Sequence, residues 1–387
     1  MPHHVDGTSV SSLAQDELIV DRLPLCIGAQ LSAHNPDGFP DVCPFSLGVN
    51  MSTGALQRGA DPALDSLLRR AYSLGLPMGT PSDDSEAGRA YVDDFLRFIG
   101  AHASPPGRAL EIGAGVGYLS ARLRQGGWAV DAIEPGEGYA DQWTRHGIEV
   151  IADLFPTPRA KGPYDLIVFY TVLEHIAELQ AFLDAVTDHL SSEGLAVLAV
   201  PDCTAEIDAG DPGMLLHEHC HYFTESSLCR TLEQAGLRPI VAKSTHGRTL
   251  FAAARAGSQP LRSAPLSLSD LSPARGYAQR VRATMSAVSA QVVTVLEQGT
   301  LGIYCPSRAL AVMPQDLPLR FFDDAPWLHG RFYPPFKSPV ESRAELIARP
   351  PDVLWVMSRT FGAGLQKQLA PNLPRTRVER IDELVRD

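Results

Sequence analysis

The stretch best equipped for chemistry is Leu215 to Phe223, LLHEHCHYF, where His217, Glu218, His219 and His221 fall within five positions. Three uses of such a cluster compete. Two imidazoles spaced H-x-H on a strand share a face and can ligate a metal. A histidine titrates near neutrality, so it serves as a general base when a neighbouring carboxylate orients it. The third use is a polar surface loop with no task. A second stretch, Arg108 to Leu123, reads RALEIGAGVGYLSARL: an apolar run carrying Glu111, then Gly113, Gly115 and Gly117, then helical spacing. Glycine lets backbone approach a ligand closely, and a helix N-terminus offers free N–H groups. A third stretch, Tyr164 to Ile176, reads YDLIVFYTVLEHI and ends an apolar strand on Glu174 and His175. These two sit above the same ligand or cap the helix that follows.

The elements that must hold these residues follow from periodicity. Apolar runs at 109–112, 129–133, 166–169 and 195–200 read as buried strands, with helical spacing at 118–125, 140–146 and 179–190 between them. A closing strand pair is expected at 239–244 and 249–254. Continuous apolar strands separated by helices specify a doubly wound, Rossmann-like α/β domain with its site at the carboxyl ends of the strands. Glu134 ends the second strand about 20 residues beyond the glycine loop, where an acid accepts hydrogen bonds from a ribose. Up to this point the pattern fits a dinucleotide as well as an adenosyl ligand.

On either side the texture changes. Residues 1–81 are rich in proline, glycine and aspartate and predict a loop-rich module. A helix over 82–103 then opens the central domain, which runs over 82–256. A serine- and proline-rich linker occupies 257–273, and 274–387 predict a second, smaller α/β domain starting with a helix over 274–298. With 387 residues, two or three domains are expected. A net charge of −12 argues against a nucleic-acid polymer as partner, since phosphate neutralisation needs a basic surface. No apolar run reaches the length of a membrane span, and the N-terminus lacks a secretory pattern, so the cytoplasm is the default compartment. Six scattered cysteines give no disulfide framework.

The E-x-G-x-G-x-G loop resembles motif I of the class I S-adenosylmethionine-dependent methyltransferases, and the LEH run at Leu173 to His175 resembles their motif IV. The resemblance implies S-adenosylmethionine as cofactor, held by Glu111, Gly113, Gly115 and Gly117, with its ribose on Glu134 and its adenine edge near Asp153. More narrowly, HEH-x-x-YF-T-x-x-S-L, followed by THGRTL at Thr245 to Leu250, resembles sugar C-methyltransferases that act on nucleotide-linked keto sugars. Those enzymes read YHEHLSYFS and HGGSL there. The Asp323–Asp324 pair and the run PPDVLWVMS are similar to that family's C-terminal domain. What this implies is His219 as base, Glu218 and His175 assisting, Tyr222 either assisting or core, and His217 and His246 on the substrate.

Three departures stand out. Of the four cysteines that bind zinc in that family's N-terminal module, only Cys26 is kept; Asn50 and Thr53 stand where the second pair falls, so no metal is expected. Leu216 replaces the tyrosine before the H-E-H. GIYCPSRAL (Gly302 to Leu310) replaces a glycine-rich turn, and Pro306 has no N–H to offer a phosphate. The acceptor is therefore a small molecule of secondary metabolism, either a nucleotide-linked keto sugar methylated at carbon or a non-sugar metabolite methylated at N, O or S. A non-catalytic binding module is the alternative outside the enzyme class. Monomer and homodimer are both open.

Overall fold

A computed structural model describes residues 17–25, 28–74, 86–257, 265–306, 311, 313–358, 361–380 and 383. Cys26 and residues 307–310 of the altered turn lie outside these. The N-terminal stretch is more regular than its proline and glycine content predicts. It builds β1 (Leu18–Pro24), β2 (Val42–Val49), β3 (Leu56–Arg58) and α1 (Pro62–Ser73). The inward positions Leu18, Phe45, Leu47 and Leu56 alternate as strands require, but over runs too short and too interrupted to show a period. Asp61 caps α1 by accepting from the N–H groups of Ala63 and Leu64, with Pro62 at the first helical position. At the β2–β3 turn, Asn50 Oδ1 accepts from the N–H groups of Ser52 (3.0 Å) and Thr53 (3.2 Å). An amide side chain thus closes the turn where the sugar methyltransferases carry a cysteine pair.

The central domain runs α2 (Glu86–His102), β4 (Arg108–Ile112), α3 (Tyr118–Gln125), β5 (Ala129–Ile133), α4 (Ala140–His146), β6 (Val150–Ile151), β7 (Tyr164–Tyr170), α5 (Leu179–His189), β8 (Leu190–Pro201), α6 (Thr204–Ala209), β9 (His221–Tyr222), α7 (Glu225–Gln234), β10 (Leu237–Lys243) and β11 (Thr249–Ala256). Its seven-stranded sheet has the order β10-β11-β8-β7-β4-β5-β6, and only β11 runs against its neighbours. This is the doubly wound Rossmann-like fold. One face packs Phe95, Leu119 and Phe251 under α2 and α3; the other packs Leu110, Phe169 and Phe182 under α5. Strand order reverses between β4 and β7, and the site lies at that switch point.

β9 leaves this sheet. It pairs antiparallel with β3, Leu56 opposite Tyr222 and Gln57 opposite His221, and becomes the fourth strand of the N-terminal sheet. Two residues are too few to carry a period, so the sequence does not announce it. Arg58 N–H also donates to the Cys220 carbonyl (2.9 Å).

After the linker, α8 (Leu268–Gln298) starts six residues before the expected position. Ser267 and Asp270 form a reciprocal capping box ahead of Pro273. α8 packs Tyr277, Ala278 and Val281 against β1, β2 and α6, so the N-terminal sheet shares its core with both other units. There follow β12 (Leu301–Tyr304), β13 (Arg320–Phe322), β14 (Val340–Glu341), α9 (Arg343–Ala348), β15 (Val353–Val356), α10 (Gly362–Leu369) and β16 (Arg377–Arg380). They form an all-parallel sheet, β14-β13-β12-β15-β16. Among the described residues, no helix is long and apolar enough to cross a membrane.

Arg58 lies between β3, α1 and the β9 segment with its side chain 3% exposed, paired with Asp65 and donating to Cys220 Sγ (3.3 Å). Asp65→Ala leaves a buried guanidinium without its counter-charge and is expected to cost about 3 kcal/mol, whereas Arg58→Met, which removes the charge itself, costs less. Denaturant titration of the two variants checks this; equal losses would contradict it.

Candidate active site

The carboxyl ends of β4, β5 and β7 open into one cavity of about 1200 Å³, larger than a single small ligand needs. At one end lies the glycine loop. The N–H groups of Gly113 and Ala114 bond the Ile133 carbonyl (2.8 and 3.0 Å), which pins the loop to β5. Gly113 has φ +74°, and a Cβ there would lie 2.6 Å from Val172 Cγ2; Gly117 has φ +80°, and a Cβ there would lie 2.1 Å from Ile148 Cδ1. Both positions therefore require glycine. Gly117 starts α3 and does not itself line the cavity, while Glu111, Gly113, Gly115, Glu134 and Asp153 do. The Glu134 carboxylate accepts from the N–H groups of Gly115 (2.9 Å) and Gly136 (2.8 Å), poised across the loop. Glu111 is buried against the Ser120 hydroxyl, and burial lifts its carboxyl to about 8. Asp153 is held by Leu154 N–H (2.8 Å) and the Thr157 hydroxyl (2.6 Å), hydrogen bonds that keep its carboxyl low.

The other end carries Glu174, His175, Glu218 and His219. Glu174 and His175 belong to a 3₁₀ turn, Leu173–His175, that ends before α5; they cap nothing there and line the cavity. The Cys220 N–H donates to the Glu174 carbonyl (2.6 Å), which holds the β9 segment against this turn. His175 Nδ1 lies 3.2 Å from the Glu218 carbonyl oxygen. A carbonyl only accepts, so Nδ1 carries the hydrogen and Nε2 of the neutral ring is left as an acceptor. Burial drops His175 to about 4 and lifts Glu174 and Glu218 to about 8; a hydrogen bond from Tyr72 opposes the shift at Glu218. The His175 and His219 rings meet edge-on at 4.8 Å. Tyr72, from α1, reaches into the site with its hydroxyl 3.2 Å from His175 Nδ1. No sequence signal marked Tyr72, because it lies in a helix hidden within the stretch read as loops.

Three expected site residues are elsewhere. Tyr222 is fully buried and is a core staple: its hydroxyl accepts from Leu216 N–H (3.1 Å) and donates to the Leu216 carbonyl (3.0 Å). His217 turns away from His219 because only His221 and Tyr222 are strand, so the H-x-H spacing does not place both rings on one face. It is buried under the N-terminal sheet, with Nε2 3.2 Å from the Cys43 carbonyl oxygen. His246 turns towards Thr245 Oγ1 (2.9 Å), and the cavity is lined by its neighbours Gly247 and Arg248 instead. Arg248, which stands where the sugar methyltransferases have glycine, pairs with Glu206 of α6. From the C-terminal sheet, Cys305, Asp323 and Met357 follow directly on β12, β13 and β15 and close the far wall.

Residues 85–242 match the family model of a methyltransferase domain. These residues form a methyltransferase domain. The chain is also similar to C-methyltransferase NovU of Streptomyces niveus, 27% identical over 165 residues that cover 40% of this chain and 39% of NovU. The likeness thus spans well under half of that relative. Among solved structures, the 1,6-didemethyltoxoflavin N1-methyltransferase of Burkholderia thailandensis aligns with 19% identity and a TM-score of 0.40, over 58% of this chain and 99% of that one. A possible histamine N-methyltransferase of Thermotoga maritima aligns with 16% identity and a TM-score of 0.37, over 44% and 90%.

The buried groups set a pH dependence for the protein without ligand. Glu111, Glu174 and Glu218 rise to about 8 from 4.5, while burial lowers His175, His217 and His221 to about 4 from 6.5. Between pH 4.5 and 6.5 the extra carboxyl protons of the folded state offset its missing imidazolium protons. Between pH 6.5 and 8 only the carboxyls differ; the folded state then binds more protons than the unfolded one, and stability falls as pH rises. The thermal midpoint is expected to drop by several degrees across that interval, and by less in Glu174→Gln. A flat or rising midpoint in the wild type would contradict the assignment.

Proposed function

We propose that this protein transfers a methyl group from S-adenosylmethionine to a small-molecule acceptor, with His219 as general base. The observation that carries this reading is the single cavity, with the glycine loop and Glu134 at one end and the Glu–His cluster at the other. The residues fit the cofactor: the loop has no room for a side chain at Gly113, and the Glu134 carboxylate, now on Gly115 N–H, can exchange that bond for ribose hydroxyls. When bound, the cofactor supplies an activated methyl group on a sulfonium, open to in-line displacement.

The chain's own residues then have distinct tasks. The N-terminal helix α1 and the C-terminal sheet wall the acceptor off from water. His219 removes the proton from the acceptor atom that is to be methylated. His175, neutral at working pH, presents Nε2 as an acceptor beside it and so orients a hydroxyl. Glu218 positions Tyr72 and His175 through its side chain and carbonyl.

C-methylation of a nucleotide-linked keto sugar is the finer reading, supported by the H-E-H-x-x-Y-F motif and the similarity to NovU. A non-sugar acceptor methylated at N, O or S is favoured by a different observation. Among the described residues, Arg69 and Arg248 are the lysines or arginines lining the cavity, against many carboxylates, and Arg248 is already paired. That is a poor setting for a diphosphate. Incubation with ¹³C-methyl S-adenosylmethionine and a panel of keto-sugar nucleotides, amines, thiols and phenols distinguishes the two, because the carbon shift of the product reports the methylated atom. On whichever acceptor is turned over, His219→Gln is expected to lower the rate about a hundredfold or more; an unchanged rate removes His219 from the role of base.

A further inference from the structure

The mechanism above leaves Glu174 without a task, yet it is the most conspicuous polar group in the cavity. Its side chain is 1% exposed, and neither carboxyl oxygen has a hydrogen-bond partner among the described residues. An ionised carboxylate cannot remain buried without donors or a counter-charge, so the group keeps its proton. Its neighbours supply no cation. Tyr72 faces it from α1, Tyr170 from the end of β7, Cys203 from the start of α6, and Glu218 and His219 from the β9 segment, with neutral His175 alongside. His175 Nε2 lies 3.9 Å from Oε1, too far for a hydrogen bond.

The geometry shows where the missing partner belongs. One carboxyl oxygen of Glu174 and one nitrogen each of His175 and His219 all lie within 4.8 Å of one another. A point then exists at most about 2.8 Å from all three, the reach of a hydrogen bond to an oxygen atom. We propose that Glu174 is a catalytic residue whose carboxylic acid donates a hydrogen bond to the acceptor's oxygen, the atom that gathers negative charge as His219 takes the proton. Glu174 keeps its proton throughout. The acceptor proton goes to His219, and the charge left on oxygen, as an enolate or alkoxide, is met by the Glu174 O–H. A neutral donor in a dry site is suited to this, since it stabilises charge as it develops. The acceptor class follows: a ketone or an alcohol, whose oxygen accepts the hydrogen bond from Glu174 as the proton leaves for His219. The inference rests on the acceptor-end reading given under Proposed function.

The test uses 4-nitrophenolate as a probe of developing oxyanion charge, titrated by its absorbance into the full-length protein saturated with S-adenosylhomocysteine. Wild type is expected to bind the probe, Glu174→Ala about tenfold more weakly, and Glu174→Gln, which keeps an N–H donor, nearly as well as wild type. In wild type the affinity should fall as pH rises through 8, where Glu174 and the neighbouring Glu218 ionise, and in Glu174→Gln, which leaves Glu218 alone to titrate there, that fall should be clearly smaller. Equal binding by wild type and Glu174→Ala, no binding by wild type, or loss of binding on adding a chelator would each overturn the proposal, the last by assigning the three groups to a metal. If Glu174→Ala does not fold, the pH dependence of Glu174→Gln decides alone, and an unchanged pH profile sinks the idea. Binding of S-adenosylhomocysteine is measured in the same preparations. Its absence in wild type refutes the methyltransferase reading itself, whereas its presence without probe binding refutes only the role of Glu174.

Discussion

His221 and Tyr222, two residues of strand, tie the N-terminal sheet to the methyltransferase domain, and the site depends on that tie. β9 is fixed on one side by β3 and on the other by the Cys220 N–H donated to the Glu174 carbonyl, so Glu218 and His219 are stretched between two sheets. The Tyr222 hydroxyl bonds both backbone groups of Leu216 and closes the loop that carries them. A loop supported only at its ends would sample many arrangements. This one is held through the backbone of Leu216, Glu218 and Cys220, which keeps a short polar segment in a fixed place. The same tie brings Tyr72 into the cavity, since α1 moves with β3.

The second constraint is electrostatic. The Glu–His end of the cavity contains two buried carboxyls and two histidines with no lysine or arginine among them, so burial drives the carboxyls up and His175 down and leaves these three groups close to neutral. A neutral, dry cluster with directed donors and acceptors suits a reaction in which a cationic donor meets an acceptor that is losing a proton. Salt-bridged residues would hold their charges too firmly to respond to either change.

Much of this was legible in the sequence. The strands β4, β5, β7 and β8 are continuous apolar runs, and the glycine loop with Glu111 and Glu134 marks one end of the cavity by composition and spacing. Cluster residues Glu174, His175, Glu218 and His219 stand in motifs that can be read by eye. What could not be read is what depends on partners distant in the chain. His217 and His219 look equivalent until β9 is known to begin at His221, and Tyr222 looks chemical until its hydroxyl is found bonded to Leu216. The N-terminal sheet was hidden because prolines interrupt its strands and its core is completed by α8, some 220 residues away. Arg248 and Asp323 reach the cavity only through the packing of three units, a fact no local pattern carries.

The measurement closest to the central claim is a calorimetric titration of wild type and Glu134→Ala with S-adenosylhomocysteine. A cofactor end built as described here binds one molecule per chain, and the loss of the Glu134 carboxylate weakens binding about tenfold or more. No heat from wild type, or an affinity that Glu134→Ala leaves unchanged, would contradict the account.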